Sequence, residues 1–98
     1  MSEIMIYVNE QLDGYTCRLD PRSKAVVKTL GSDIEPVASI FISYDTKSNF
    51  EFQHGSIWKH LAEILTGLPV ERLQEHGRIV FVDPKTKRTL FEPSAQHV

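Results

Sequence analysis

The single cysteine of this 98-residue chain, Cys17, is the first residue to consider for nucleophilic chemistry. A reactive thiol needs an exposed, electropositive site that lowers its pKa. Cys17 instead falls in an alternating apolar stretch, and the hairpin register derived below places Glu10 across from it. Burial and a neighbouring carboxylate both raise the pKa of a thiol. We therefore expect Cys17 to be a small, unreactive residue of the core.

Metal binding would need several histidine, cysteine or carboxylate ligands at suitable spacing. The chain has four histidines: His54, His60, His76 and His97. His60 and Glu63 are one helical turn apart, but two ligands do not make a site. His76 comes before Gly77, where a histidine is favourable at the carbonyl end of a helix. We expect no bound metal and no cofactor.

Acid–base catalysis calls for paired carboxylates in a cleft. Glu71 and Glu75 lie four residues apart with Arg72 beside them, which is typical of a solvated helix face. The five glycines fall at turns and helix boundaries, so they form no phosphate-binding loop. We expect the chain not to be an enzyme. A small enzyme using Cys17 or His60 is the third-ranked alternative.

Basic residues are concentrated in two segments. Seven of the eleven Lys and Arg residues belong to them: Arg22, Lys24, Lys28, Arg78, Lys85, Lys87 and Arg88. If both segments lay on one side, they would form a positive patch beside Phe91 suited to weak phosphate contacts. The net charge of −2 gives no overall attraction to nucleic acid or an anionic membrane. Weak nucleic-acid binding is therefore the alternative function and not the first.

Length and composition predict one domain over residues 1–98, with a loose tail from about residue 92 to residue 98. The apolar fraction of 41% and the charged fraction of 24% are ordinary for a globular protein. No apolar run approaches the roughly 20 residues of a membrane span. The chain opens without a signal-peptide pattern, and a lone cysteine fits a reducing compartment. We expect a soluble, cytoplasmic protein that does not contact membranes.

The clearest element is a β-hairpin over residues 4–19, with Asp13-Gly14 as a type I′ turn. A two-residue loop there pairs positions whose numbers sum to 27, so that Val8 faces Leu19 and Glu10 faces Cys17. One face of the hairpin then collects most of the apolar residues, namely Ile4, Ile6, Val8, Leu12, Tyr15, Cys17 and Leu19. That agreement between register and pattern supports the hairpin.

Residues 21–30 fit two predictions. A helix would have Asp20 as its N-cap, Pro21 at its first position and Gly31 at its end. The β-branched residues and the Asp20-Pro21 turn chemistry fit a tight turn and a strand instead. A strand follows at 37–44, with Ala38, Ile40, Ile42 and Tyr44 on one face, and a shorter strand at 50–53.

The second half of the chain predicts a helix pair over residues 56–77. Ser56 begins the main helix, whose apolar residues Ile57, Trp58, Leu61 and Leu65 recur at helical spacing up to Gly67. A shorter helix runs from Pro69 to Gly77, and residues 78–91 form a closing hairpin. The predicted fold is α+β: a mostly antiparallel sheet of four to six strands with the helix pair on one face.

Three strands do not alternate between apolar and polar residues, as a sheet with one solvated face would require. Met5, Tyr7 and Phe41 therefore point away from the helix pair and need a cover. The helix at 21–30 is one candidate and another chain is a second; the third alternative is a patch that stays uncovered and has no function. We expect a small protein that binds another protein, such as an inhibitor, immunity factor, adaptor or accessory subunit. A second copy of the chain, forming a homodimer, is an alternative partner.

Overall fold

The computed structural model describes residues 3–43 and 56–92 of the chain. A five-stranded mixed sheet has the order β3-β2-β1-β4-β5. Its strands are β1 (Glu3–Gln11), β2 (Gly14–Leu19), β3 (Ser39–Ser43), β4 (Arg78–Val82) and β5 (Thr89–Phe91). The helices are α1 (Pro21–Thr29), α2 (Ser56–Thr66) and α3 (Val70–His76). The predicted α+β fold is confirmed, whereas the predicted strand at 50–53 lies outside the described residues.

The β1–β2 hairpin forms as predicted, but its register is shifted by two residues. Val8 pairs with Cys17, and Glu10 pairs with Tyr15, so the predicted pairing of Glu10 with Cys17 is wrong. The turn consists of Leu12 and Asp13, and neither has the positive φ that a type I′ turn requires. Leu12, placed on the apolar face by the sequence, is instead 90% exposed at the hairpin tip.

Gly14 belongs to β2 because β3 packs directly against it. A Cβ at this position would overlap the carbonyl oxygen of Ile42 and lie 2.8 Å from Cζ of Phe41. The glycine therefore allows close approach of the neighbouring strand and leaves the turn to Leu12 and Asp13. Since a shift of two residues preserves the alternation of side chains, the predicted faces survive the wrong register.

Residues 21–30 form a helix, and the signals that start it are local. The Asp20 carboxylate accepts a hydrogen bond of 3.0 Å from the backbone N–H of Arg22, and Pro21 occupies the first turn. Ser23 connects the helix to the sheet, because its hydroxyl accepts a 2.8 Å bond from the backbone N–H of Met5. That bond replaces the ladder partner that β1 loses where the chain turns into α1.

The core lies between one sheet face and the three helices. From the sheet it includes Ile4, Ile6, Cys17, Ile79 and Phe81, and from the helices Val27, Trp58, Leu61, Leu65, Val70 and Leu73. The Trp58 and Phe81 rings meet edge to face with centroids 4.6 Å apart. Gly67, with a φ of 76°, ends α2, and the Glu63 carboxylate caps α3 by accepting a 2.9 Å bond from the N–H of Val70. The predicted helix pair is confirmed.

The sheet is antiparallel except in its centre. β1 runs parallel to β4, with Tyr7 opposite Val82, while the other three pairs are antiparallel. β3 begins at Ser39, so Ala38, predicted to lie in this strand, precedes it and is exposed. The closing hairpin joins β4 to β5 as predicted. Within residues 3–43 and 56–92, no helix has the length and apolar character needed to cross a membrane.

Candidate functional site

The sheet face opposite the helices is the candidate site, and we call it the open face. The side chains that the strand registers place on it include Met5, Tyr7, Asn9, Thr16, Arg18, Ser39, Phe41, Val80 and Val82. Met5, Tyr7 and Phe41, predicted to share a surface, are all on this face. Val80 and Val82 are buried there without belonging to the main core, while Phe41 is 55% exposed.

Helix α1 does not cover the open face, although the sequence allowed it as a cover. Its buried apolar residue, Val27, packs into the core on the helix side, together with Ile4 and Leu65. The cap residue Asp20, just before α1, contacts Tyr7 on the open face, and α1 itself borders this face at Met5. Helix packing therefore leaves this face uncovered by α1.

Tyr7 is the centre of a small polar cluster on the open face. Its hydroxyl donates a 2.7 Å hydrogen bond to the Asp20 carboxylate, and the Arg18 guanidinium lies 4.7 Å from its ring centroid. The hydrogen bond to Asp20, together with partial burial and the carboxylate charge, raises the pKa of Tyr7. The ring is thus held in one orientation by a carboxylate at its hydroxyl and a cation against its face.

Among the residues that the structure describes, Phe41 is the most exposed aromatic side chain on this face. It projects from β3, opposite Thr16, and the flanking positions on the same face are Ser39 and Ser43. Its ring reaches over Gly14, since Cζ would lie 2.8 Å from a Cβ there. An aromatic ring over a strand glycine is fixed by the backbone below and surrounded by small polar residues. Such a ring can contact a partner with little loss of side-chain entropy.

Met5, the third predicted contact residue, is half-buried at the end of the open face next to α1. There it lines an open cavity of about 320 Å³ with Glu3, Asp20, Arg22, Ser23, Val26 and His76. The polar groups of this cavity already have structural roles. Asp20 caps α1 and holds Tyr7, and the Ser23 hydroxyl accepts from the backbone of Met5. Met5 therefore borders the aromatic surface and does not form its centre.

The two basic segments do not combine into one patch. Arg22 and Arg78 are both next to the Glu3 end of β1, where Arg78 pairs with Glu3. Lys85, Lys87 and Arg88 follow the opposite end of β4, at least about 13 Å away at 3.3 Å per residue. The condition for the predicted combined patch is not met. Residue 91, beside which the patch was predicted, is in β5, and the structure does not describe its side chain.

Several cations of the described residues are paired with carboxylates. Lys24 and Lys28 both contact Glu35, at 3.1 and 3.6 Å, and hold the pKa of that carboxyl below its usual value. Arg78 binds Glu3 and Glu92, which lowers the pKa of Glu92 and raises that of Arg78. Among carboxylates of the described residues, none forms an ion pair with Arg18, Lys85, Lys87 or Arg88.

The other residues considered for chemistry lie away from the open face or have structural roles elsewhere. Cys17 is fully buried, which confirms its predicted place in the core and puts its thiol out of reach of a substrate. His60 is exposed on α2, but the Glu63 carboxylate is the cap of α3. Within the described ranges, no three potential ligands come together to hold a metal ion. His76 lies in the last turn of α3, as predicted, and His54 and His97 lie outside the described residues.

Arg18 and Asp20 are site residues that pattern analysis did not identify. Both are on β2 or just after it, at positions that alternate with the core residues Cys17 and Leu19. The signal was available in that alternation, because it places Arg18 and Asp20 on the same side as Tyr7. Only the true register, with Tyr7 opposite Arg18, shows that the guanidinium lies against the ring.

Comparisons of this chain with protein-family models, with curated protein sequences and with solved structures gave no match.

Proposed function

We propose that this protein acts by binding another protein through the open face. The observation that carries the proposal is Phe41, which is 55% exposed on a sheet strand and flanked by small polar side chains. Arg18 on β2 lies one strand further into the sheet, and Tyr7 on β1, whose ring it contacts, lies two strands further. Since burying an aromatic ring contributes strongly to association, an exposed and fixed ring is what a partner would cover.

The composition of the open face also supports a protein partner. Tyrosine, phenylalanine and arginine are enriched at the centres of protein interfaces, where they contribute most of the binding energy. Serine, threonine and asparagine around them supply hydrogen bonds that adapt to the partner. The open face combines both classes, with Tyr7, Phe41 and Arg18 among Asn9, Thr16 and Ser39.

In this proposal the protein works as an inhibitor, immunity factor, adaptor or accessory subunit in the cytoplasm, where its free thiol would stay reduced. The partner is either a different protein or a second copy of this chain. Sedimentation velocity on the purified protein distinguishes these cases. A concentration-dependent dimer that Phe41→Thr abolishes would identify a second copy as the partner.

The test for a different partner uses two matched variants. Phe41→Thr removes the exposed ring and keeps a β-branched residue in β3, while Ile34→Thr removes an apolar side chain of equal exposure, 56%, from a loop on the helix side. Immobilised wild type and variants are incubated with extract of the source cells, and proteins retained by wild type are identified and purified. We expect Phe41→Thr to weaken binding of the purified partner about 30-fold or more, and Ile34→Thr to leave it unchanged.

Equal binding by wild type and both variants would contradict the proposal. Melting curves of the two variants are the necessary control. A variant in which β3 is unfolded would lose binding even if Phe41 did not contact the partner. Both variants should unfold cooperatively, as the wild type does, at temperatures well above that of the binding assay.

Single-stranded nucleic acid is the second candidate ligand. The cations Lys85, Lys87 and Arg88 support it, because they pair with no carboxylate of the described residues and follow β4, the strand beside the one that carries Tyr7. Bases stack on aromatic rings while cations contact phosphates. Fluorescence anisotropy with a 15-nucleotide oligothymidine tests this candidate. Micromolar binding at about 150 mM salt that weakens steeply with added salt would establish it.

A further inference from the structure

The two edge strands of the sheet differ in the features that discourage pairing with a further strand. β5 has only three residues, follows the cations Lys87 and Arg88, and precedes Glu92. A short strand and flanking charges both blunt an edge. β3 has five residues, Ser39–Ser43, and none of them is charged or a proline. Among the described strands β3 pairs only with β2, so its outer side is the unguarded edge of the sheet.

The sequence of β3 is also symmetric about Phe41. It reads Ser-Ile-Phe-Ile-Ser, so the two residues before Phe41 repeat in reverse order after it. A contact between two copies related by a two-fold axis must be self-complementary, because each residue meets its partner twice. With the axis beside Phe41, two antiparallel β3 strands place phenylalanine opposite phenylalanine, isoleucine opposite isoleucine and serine opposite serine. Each cross-strand pair is then matched, and none brings like charges together.

The two faces of the sheet continue across such a pairing. Residues opposite each other in a ladder project to the same side, so both Phe41 rings lie on the open face and the isoleucines lie on the core side. Phe41 is 55% exposed and Ile40 is partly exposed. Pairing buries the free part of each ring against the other ring, an arrangement that aromatic side chains favour.

We infer that a second copy of this chain pairs with β3, and that the two antiparallel β3 strands, centred on Phe41, join two five-stranded sheets into one. Five strand residues a side are far fewer than the roughly 20–30 residues a side of a standard interface. The dimer is therefore weak and forms at high protein concentration. This inference rests on the proposed function and identifies its partner.

Disulfide trapping tests the register of this pairing. Phe41→Cys places two thiols opposite each other at the axis, where Cα atoms about 4.5–5.5 Å apart are within disulfide range. Ser39→Cys is the matched control, because the same pairing separates its two copies by four residues along the strand, or about 13 Å. Leu12→Cys, which replaces a side chain 90% exposed at the hairpin tip, measures random collision. The native Cys17 is fully buried and stays in place in every variant.

Each variant is oxidised with copper–phenanthroline at high protein concentration, and dimers are separated on a non-reducing gel. We expect Phe41→Cys to form the disulfide about 10-fold faster than Ser39→Cys and Leu12→Cys, because only its thiols are held within reach of each other. Trapping accumulates the dimer, so a weak association is detected even after the ring is lost. In sedimentation velocity, wild type should dimerise as its concentration rises, Phe41→Thr should stay monomeric, and Ile34→Thr should behave like wild type.

The possible contrary results are distinguishable. Equal trapping of the three cysteine variants would assign the crosslinks to random collision and refute the dimer. Faster trapping of Ser39→Cys than of Phe41→Cys would refute pairing centred on Phe41. Either result leaves the proposed function intact if a protein retained from cell extract still loses binding to Phe41→Thr. Absence of both the β3 dimer and such a protein would refute the proposed function as well.

Discussion

Replacing Gly14 by alanine tests how the hairpin, β3 and the open face depend on one another. Two effects oppose each other in this substitution. Gly14 does not have a positive φ, so alanine is compatible with the backbone and reduces the entropy of the unfolded chain, which by itself stabilises by about 0.4–1 kcal/mol. Against this, the new Cβ overlaps the carbonyl oxygen of Ile42 and lies 2.9 Å from Cα of Ser43.

The steric effect should be larger, because the overlapping atoms belong to the backbone of β3 and cannot rotate away. Overpacking of this kind costs typically 1–3 kcal/mol. The pairs Gly14↔Ser43 and Tyr15↔Ile42 must also separate, and each ladder hydrogen bond contributes about 1 kcal/mol. We expect a net loss of about 1–3 kcal/mol in the free energy of unfolding. At about 4–8 °C per kcal/mol, this lowers Tm by roughly 4–24 °C.

Urea denaturation and thermal melting of Gly14→Ala measure the loss, and hydrogen exchange locates it. Exchange should accelerate most at the β3 amides, and binding through Phe41 should weaken with it. A second measurement repeats the substitution in a Phe41→Ala background. The cost should persist there, because the backbone of Ile42 remains in place. An unchanged or raised Tm for Gly14→Ala would refute the close packing of β3 and the explanation of the register.

Three further predictions concern single side chains. A thiol-reactive dye should label Cys17 slowly in the native protein and rapidly after denaturation, since the side chain is fully buried; rapid native labelling would contradict its place in the core. Tyr7→Phe should cost about 1 kcal/mol near pH 8 by removing the hydrogen bond to Asp20. Because folding raises the pKa of Tyr7, the extra stability of wild type over Tyr7→Phe is complete below the unfolded-state pKa of about 10. It is lost as pH rises through the folded-state pKa. A difference in urea stability between the two proteins that stays constant from pH 8 to pH 11 would refute this linkage. Ser23→Ala should lower the free energy of unfolding by about 1–3 kcal/mol, since it leaves the N–H of Met5 without its partner, and unchanged denaturation midpoints would show that water replaces the hydroxyl.

The sequence determined the elements wherever their signals are local. Asp20 and Pro21 define the start of α1, because capping depends on residues one or two positions away. The apolar spacing of Trp58, Leu61 and Leu65 defines the buried side of α2 in the same way. These features are encoded in neighbouring residues, so no distant contact is needed to establish them.

The sequence also determined which side chains share a sheet face, and so identified Met5, Tyr7 and Phe41 as members of one surface. It could not determine the register of β1 and β2. Pairings in which the two residue numbers sum to 25 and pairings in which they sum to 27 give the same two faces. The turn signal of Asp13-Gly14 favoured the wrong one. The observed pairing leaves Gly14 in β2, where β3 packs against it, and this contact involves residues almost 30 positions apart.

Only the tertiary structure decided that α1 does not cover the open face and which cations are paired with carboxylates. The direction of α1 depends on Val27, which packs with residues of β1 and α2 on the helix side. The parallel pairing of β1 with β4 brings Val82 next to Tyr7. Ion pairs with Glu3, Glu35 and Glu92 neutralise Lys24, Lys28 and Arg78. These ion pairs join residues that are distant in sequence. A local sequence pattern therefore shows where charged residues occur, but not which residues lie beside them in space.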